Sequence, residues 1–373
     1  MRALPTGIVL LAVLTQPHLR GQARVTVDQL RVLMAGEGHA GDRAMADKVD
    51  GLQLSERLTA ATLQRIEEAQ HPGPQTAEAL RLLSDSSAFL DPPAAEIPQR
   101  AAPGIPEQQA MMNGAVHFVV DTLKRLPDFF AARTTNSFDD GPTVVTHSGW
   151  SPAGKMHNVG TFSQEITFRK GREIVGSLST AAHSSGKDAV APGLTSSGEF
   201  GPLLAIILRD TAHGTVSWSH WEQSAIGVVG VFHYQVPQVQ SHYEVNFCCV
   251  KSYEDPGAYL PGGTPNAYHG RPGYHGELSM DPATGAVVRV TLETELKDSD
   301  PISHAGVVVQ FGTVALEGDK SYICPVRTLA VSTVESVVDG DFGLRTIRRV
   351  NEVAFTGYHR FGASTRIVSA GSH

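Results

Sequence analysis

The chain has 373 residues, of which 41% are hydrophobic and 18% charged, so it has enough apolar material for a core and is not wholly disordered. Its 30 basic and 38 acidic residues give a formal charge of −8, or 28 − 38 = −10 without the two arginines of the first 23 residues. A net-acidic chain without a basic block is a poor candidate for binding nucleic acid or an anionic membrane surface.

The first 23 residues have the pattern of a secretory signal peptide. Arg2 precedes a short apolar run from 7 to 14, which is too short to span a bilayer, and Gly21 and Ala23 offer small residues for a signal peptidase. The alternative is a buried N-terminal helix. The pattern predicts cleavage near Ala23 and a periplasmic or secreted product. Because no later apolar run approaches ~18 residues, an integral membrane protein is not expected.

Residues 24–90 predict a small helical module. Apolar residues recur there at three- and four-residue steps, first from Met45 to Ile66 and then from Ala77 to Leu83. Residues 91–107 are rich in proline and alanine, which predicts an extended, semi-rigid linker between the module and the rest of the chain.

Residues 108–373 predict one helix followed by a large antiparallel β-domain. The helical stripe ends at Pro127, residues 134–156 predict a loop or irregular strand, and a two-residue period begins near 158. The clearest strand alternates Val288, Val290, Leu292 and Leu296 with charged residues and Thr291. A second helix is predicted at 202–212, and strands are predicted near 158–169, 172–174, 214–222, 227–236, 242–250, 274–280, 288–297, 302–316, 320–334 and 344–356.

The predicted fold class is α+β. Sequential strands joined by short turns predict a meander, and about ten strands with one apolar face must curl or be covered. We therefore expect the helical module to precede a large, curved, half-barrel-like antiparallel sheet. The helices at 106–126 and 202–212 are expected to cover its apolar face.

Three cysteines, Cys248, Cys249 and Cys324, leave two alternatives open. Strand alternation sends Cys248 and Cys249 to opposite faces, so one of them can form a disulfide with Cys324 in an oxidising compartment. The other alternative is that they are free thiols that act as small buried hydrophobes. A zinc site is not expected, because there is no Cys-x-x-Cys spacing.

No motif predicts catalysis or a cofactor. His269, His275 and Glu277 lie in a glycine-rich stretch but lack the spacing of metal ligands. Asp139-Asp140 is interpreted as part of a turn and not as a pair of catalytic carboxylates. Trp218 and Trp221 are the best indication of a ligand-binding surface. By alternation they face opposite ways, so one is expected in the core and the other in a pocket or partner surface.

Several segments resemble an uncharacterised family of bacterial exported proteins, which has no assigned activity. They are Thr195–Pro202, Trp218–Glu222, Ser241–Val245, Tyr274–Leu278, Asp281–Arg289 and Tyr322–Pro325. The hairpin from Gly276 to Gly285, followed by Arg289, is also similar to one in the periplasmic lipoprotein-carrier half-barrel. That resemblance implies a curved sheet whose covering helices enclose an apolar cavity for acyl chains.

Three functional hypotheses follow. The first is a non-catalytic exported binding protein that shelters an apolar ligand, such as a lipid or a lipidated partner, because a wide sheet has more apolar face than two short helices cover. The second is an envelope protein-interaction scaffold that uses the module and the linker. The third is an enzyme of unknown class, which a cluster of converging polar side chains would favour.

Overall fold

The structure is a computed structural model that describes residues 23–36, 41–141, 144–145, 149–150, 155–176, 179–180, 191–250, 266–317, 320–337 and 344–361. Residues 1–22, on which the signal-peptide prediction depends, lie outside this part. The described part contains six α-helices: α1 (Val27–Gly36), α2 (Asp42–Asp50), α3 (Ala60–Gln70), α4 (Pro74–Ser86), α5 (Ile105–Arg125) and α6 (Pro202–Thr211).

The described strands form one large antiparallel sheet and three small sheets. They are β1 (Ala23–Val25), β2 (Leu52–Leu54), β3 (Phe129–Asp139), β4 (Val144–Val145), β5 (Gly149–Trp150), β6 (His157–Arg169), β7 (Arg172–Val175), β8 (Ser179–Thr180), β9 (Gly193–Thr195), β10 (Thr215–Ser224), β11 (Gly227–Val236), β12 (Val245–Val250), β13 (Asn266–Gly270), β14 (Gly273–Met280), β15 (Val287–Glu295), β16 (Ile302–Glu317), β17 (Lys320–Val337) and β18 (Leu344–Arg360). The predicted α+β class, with a large curved sheet that is not closed, is confirmed.

The strand order of the main sheet is β10-β11-β14-β15-β16-β17-β18-β3-β6-β7, with β8 paired to β6. Two features differ from a simple meander. The predicted strand at 242–250 forms β12, which leaves the main sheet and pairs with β9 and β13. The region predicted as loop or irregular strand contributes most of β3, which is a regular strand that pairs with β18 and β6. Every second residue of β3 is buried, but Arg133, Thr135 and Ser137 occupy these positions, so the apolar alternation is absent.

The helical module forms its own core. Leu30, Val49, Leu58 and Leu80 are buried in one cluster from α1, α2, α4 and the loop before α3. The carboxylate of Asp42, at the start of α2, accepts hydrogen bonds from the backbone N–H groups of Gln75 and Thr76. It therefore satisfies two of the unpaired donors in the first turn of α4 and ties α2 to α4.

One face of the main sheet, which we call the core face, carries Phe232, Leu278 and Val290. It packs against α5 and α6 in a single buried cluster, so the prediction that these two helices cover the sheet is confirmed. The β14–β15 turn contacts α5 so closely that a Cβ on Gly285 would lie 2.2 Å from the backbone of Gly114. Only glycine fits there, because Gly285 also has φ +72°.

The opposite face, which we call the module face, carries the helical module. Leu82 of α4 is buried against Val308, Leu329 and Val350 of β16, β17 and β18. Antiparallel sheets commonly leave one face exposed to solvent, but here the helical module covers that face. The alternation in β15 placed Arg289 and Thr291 on the polar side of the strand, yet the Arg289 side chain is only 12% exposed and Thr291 only 3%.

The linker runs from the module face around the edge strand β10 to the core face. At its start the carbonyl of Asp91 accepts a hydrogen bond from the N–H of Arg57, and near its end the carbonyl of Ala101 accepts one from the indole N–H of Trp221. In between, Glu96 accepts from the hydroxyls of Thr59 and Thr62. These contacts hold the predicted spacer in place, and the segment covers an edge strand that would otherwise present unpaired backbone groups.

Gly306 tests the docking of the module. A Cβ at Gly306 of β16 would lie 2.6 Å from the ring of Phe89, which follows α4. We expect Gly306→Ala to lower the free energy of unfolding by about 1–3 kcal/mol through overpacking, as measured by urea denaturation. When Phe89 is already replaced by alanine, Gly306→Ala should lower the free energy of unfolding little further. Additive effects of the two substitutions would contradict this contact.

Candidate functional site

The two tryptophans lie on the same face of β10, not on opposite faces as predicted. The pairing of β10 with β11 shifts register between Trp218 and His220, so Ser219 is the extra residue of a β-bulge. The bulge restores Trp221 to the core face, where its ring centroid lies 4.8 Å from that of Trp218. The prediction assumed unbroken alternation, which a bulge interrupts.

Trp221 is buried in the core, while Trp218 is half-buried beside it. The guanidinium of Arg100 lies 4.2 Å from the ring centroid of Trp221, so the linker covers this ring. Trp218 packs with Met111 of α5 over Gly230. Packing therefore accounts for Trp221, and a ligand-binding role remains a prediction for Trp218 only.

The space between the core face and the two covering helices is filled at their contacts. Side chains from α5 and α6 interdigitate with those of the sheet, and a cavity lined by Phe118, Leu204 and Phe311 measures only ≈ 20 Å³. That volume is close to what a single water molecule requires. This cavity therefore does not provide the space for acyl chains that the half-barrel resemblance implies.

A larger cavity of ≈ 100 Å³ lies between the helical module and the main sheet, where β2, α2 and α4 face β18 and the segment before β6. Its lining is mixed: apolar side chains lie beside the cations Arg24 and Arg348, the acid Asp50 and the polar Gln53 and Ser86. Arg24 and Gln53 are exposed, so the rim reaches the surface. The apolar lining residues are Val49, Leu52, Leu54, Ala79, Leu82, Leu83, Leu90 and Met156.

A second feature of the same interface is a group of charged and polar side chains that we call the seam cluster. Its members come from the loop before α3, from the start of the linker and from four adjacent strands of the module face. They are Arg57, Asp91, Ser219, His220, Glu222, His233, Glu277 and Arg289.

Two arginine–glutamate pairs form the buried part of the seam cluster. The guanidinium of Arg57 donates to Glu222 at 2.5 Å and lies 3.7 Å from Glu277. Arg289 donates to Glu277 at 3.0 Å and to the carbonyl of Ala88 at 2.6 Å. All four charged side chains are less than a fifth exposed, so each needs the others to offset its lost hydration.

The pKa values of this group follow from that arrangement. Burial would raise the pKa of Glu222, but the adjacent His220 imidazole and the charges of Arg57 and Arg289 outweigh it and lower the pKa to about 2. Burial and the nearby Arg57 lower the pKa of Arg289 to about 10. Glu222 and Arg289 are therefore charged at neutral pH.

Ser219 joins the two histidines of the seam cluster. Its hydroxyl lies 2.8 Å from Nδ1 of His220 and 2.8 Å from Nε2 of His233. His220 Nε2 lies 3.5 Å from Glu222, and His233 Nδ1 lies 3.7 Å from Glu277. The β-bulge turns the hydroxyl of Ser219 towards these rings, as bulges commonly re-aim one side chain.

A separate buried polar group lies under the β6–β7 hairpin. Arg133 of β3 donates to the carbonyl of Ser196 at 2.9 Å and lies 3.7 Å from the fully buried Glu199. Burial and the charge of Glu199 raise the pKa of Glu173 to about 7, despite the opposing charge of Arg133. The hydroxyl of Ser196 donates to Glu199, so this serine serves local structure.

The predicted disulfide to Cys324 is wrong. Cys324 is a free thiol buried with Phe168 and Phe200, and burial raises its pKa to about 12. It is thus the small buried hydrophobe of the alternative interpretation. Cys248 is disulfide-bonded, while the side chain of Cys249 lies outside the described residues.

The histidines singled out in the sequence do not converge. His269 contacts Asn246 in the small β12–β13 sheet, and His275 lies near Glu293 and Glu295. Glu277 instead meets His233 of the neighbouring strand. Asp139 and Asp140 contact the first half of β18: the carboxylate of Asp140 accepts a hydrogen bond from the backbone N–H of Arg348, and that of Asp139 lies 3.8 Å from Arg349.

No family model, curated protein or solved structure matches this chain. None of the described helices combines the length and apolarity that a membrane span requires.

The seam cluster is not evident from the sequence, because its members are spread from Arg57 to Arg289. In β15, Arg289 falls on the polar side of the alternation, next to Thr291, so nothing in the sequence indicates that it is buried. A buried arginine in a strand needs an acidic partner, but the sequence does not show which of the 38 acidic residues provides it.

Arg57→Met tests the buried ion pairs. Without the arginine, the buried carboxylates of Glu222 and Glu277 are no longer fully neutralised, so we expect the free energy of unfolding to fall by about 3–5 kcal/mol. The double variant Arg57→Met/Glu222→Met should recover part of this loss. Arg31→Met, which breaks an exposed pair with Asp28, is the control and should cost under about 1 kcal/mol. Equal costs for the two arginines, measured by urea unfolding, would contradict the buried pairing.

Glu173 predicts a pH dependence of stability. Its pKa is 4.5 in the unfolded state and about 7 in the folded state, so the folded state binds the proton more tightly. The free energy of unfolding therefore falls as pH rises from 4.5 to 7. We expect Glu173→Gln to be more stable than the unmodified protein at pH 8, by about 2–3 kcal/mol. Glu165→Gln, at an exposed position on β6, is the control. Parallel stability–pH curves for the unmodified protein and Glu173→Gln would contradict the raised pKa.

Proposed function

We propose that this chain is an exported, non-catalytic binding protein that holds a small amphipathic ligand, an apolar group with an anionic head, between the helical module and the sheet. The observation that carries the proposal is the cavity of ≈ 100 Å³ at that interface. The signal pattern of the first 23 residues supports export.

The size of the cavity limits the ligand. It has about two-thirds of the volume of a 150 Å³ apolar protein cavity that binds benzene, and it is well below the ≈ 300 Å³ of the smallest drug-sized pockets. In the same proportion, a group of about four carbon atoms matches this space. A whole lipid would have most of its acyl chain outside.

The charges at the cavity favour an anionic head. Arg24 and Arg348 line it, while Asp50, the lining acid, lies 3.1 Å from the ammonium group of Lys155. Arg348 lies 3.7 Å from Asp140, so one guanidinium edge is already paired. The exposed Arg24 at the rim is positioned to meet a carboxylate that reaches the surface.

The scaffold hypothesis has less support. It requires the module and linker to present a free docking surface, yet α4 is packed on the sheet and the linker is bonded at both ends. The packed face of α4 and the bonded ends of the linker are therefore not free for a partner, which leaves this hypothesis with less support.

Binding of short carboxylates tests the proposal. We expect pentanoate to bind in the cavity and 1-pentanol to bind about tenfold more weakly, because the alcohol lacks the charge that Arg24 and Arg348 recognise. NMR titration of the unmodified protein gives both affinities, and mass spectrometry of the purified protein identifies any ligand carried from the cell.

Two variants make the result specific. Ala79→Leu fills the cavity from α4 and should abolish binding of both probes, whereas Arg24→Gln should reduce the preference for the carboxylate and leave the affinity for 1-pentanol unchanged. Arg31→Gln, another exposed arginine of the module, is the matched control and should change neither affinity. Binding of pentanoate that survives Ala79→Leu, or no binding to the unmodified protein, would contradict the proposal.

A further inference from the structure

The exposed side of the seam cluster contains three metal-ligand side chains from different parts of the fold. Asp91 comes from the first residue of the linker, His233 from β11 and Glu277 from β14, and one ligand atom of each lies within 4.8 Å of the others. His233 and Glu277 are cross-strand partners in the sheet register. The backbone of Asp91 is held by the hydrogen bond from the N–H of Arg57 to its carbonyl.

The distances are close to those of a coordinated ion. Two donor atoms bound to one tetrahedral Zn²⁺ lie about 3.4 Å apart, and His233 Nδ1 is 3.7 Å from Glu277 Oε1. The three ligand atoms lie within 4.8 Å of one another, so the exposed carboxylate of Asp91 would move inward by at most about 1.4 Å to reach the tetrahedral spacing. Rotation of an exposed side chain provides that movement.

Neighbouring groups orient two of the three donors. Ser219 contacts Nε2 of His233, which leaves Nδ1 as the ring nitrogen that faces the carboxylates. Arg289 donates to Oε2 of Glu277, which leaves Oε1 facing His233. Hydrogen bonds to the atoms that face away from the ion are characteristic of metal-binding histidines and carboxylates, because they fix the orientation of the ring and the carboxylate.

The charge of the cluster is compatible with a cation. Among the arginines and carboxylates, Arg57 and Arg289 contribute two positive charges and Glu222, Glu277 and Asp91 three negative ones, a sum of −1. The two arginines contact the glutamates from the buried side, while Asp91 and His233 are exposed. A cation therefore enters on the side where Asp91 and His233 face solvent.

We propose that Asp91, His233 and Glu277 form a site for one divalent transition-metal ion, which would fasten the start of the linker to the main sheet. One imidazole and two carboxylates suit Zn²⁺ or Mn²⁺, and three protein ligands leave a position for water. The site is separate from the cavity of the proposed function, since the two share no lining residue. Failure of one proposal therefore leaves the other standing.

Calorimetric titration of the chelator-treated protein with Zn²⁺ at pH 7.5 tests the site, with Mn²⁺ in a parallel titration. We expect one saturable equivalent, and an affinity lowered at least tenfold in His233→Gln and in Asp91→Asn. His275→Gln is the matched control, because His275 lies on the adjacent strand near two glutamates and its side chain is also 49% exposed. That variant should bind as the unmodified protein does.

A second measurement does not depend on the stoichiometry of binding. Zn²⁺ should raise the thermal unfolding midpoint of the unmodified protein and of His275→Gln but not that of Asp91→Asn. Asp91 is exposed, so this variant keeps the fold and decides the question even where His233→Gln does not fold. Absence of saturable binding, equal binding by Asp91→Asn, or equal losses in His233→Gln and His275→Gln would overturn the proposal.

Discussion

The packing of α4 on the module face of the sheet is the contact on which the rest of this structure depends. The core face is covered by α5 and α6, and Leu82 covers apolar residues on the opposite face, so both faces of the central strands are buried. The chain supplies both covers in sequence by passing the linker around β10. Because Arg57 and Arg289 lie at that interface, the interface also needs Glu222 and Glu277, since an unpaired buried charge costs several kcal/mol.

The two proposed sites are consequences of this packing. The cavity has one wall from the module and one from the sheet, and the proposed metal site has Asp91 on the linker and two ligands on strands. Neither would exist if the module were undocked. A ligand that binds only the docked arrangement must stabilise it, so occupancy of either site is expected to tighten the interface. Binding and docking are thus linked through the same contacts.

The sequence predicted those parts of the fold in which period and burial agree. The strands from Gly227 to Arg360 other than β13, and the helices α5 and α6, were recognisable because their apolar residues repeat regularly. β3 was not recognised as a regular strand, because Arg133 and its neighbours carry polar groups on the buried side. The Trp218–Trp221 geometry was missed because one bulged residue reverses the alternation. The seam cluster joins residues far apart in the chain, and single-sequence patterns contain no information about such pairs.

Native-state hydrogen exchange measures the docking of the module most directly. If α4 is packed on the sheet as described, its central amides and those of β16 and β17 exchange only through the same large-scale opening, with similar free energies and the same response to denaturant. The described contacts predict that outcome for the amides of Leu80 to Leu83. Exchange of these amides at rates close to those of an unstructured peptide, while β16 and β17 remain protected, would contradict it.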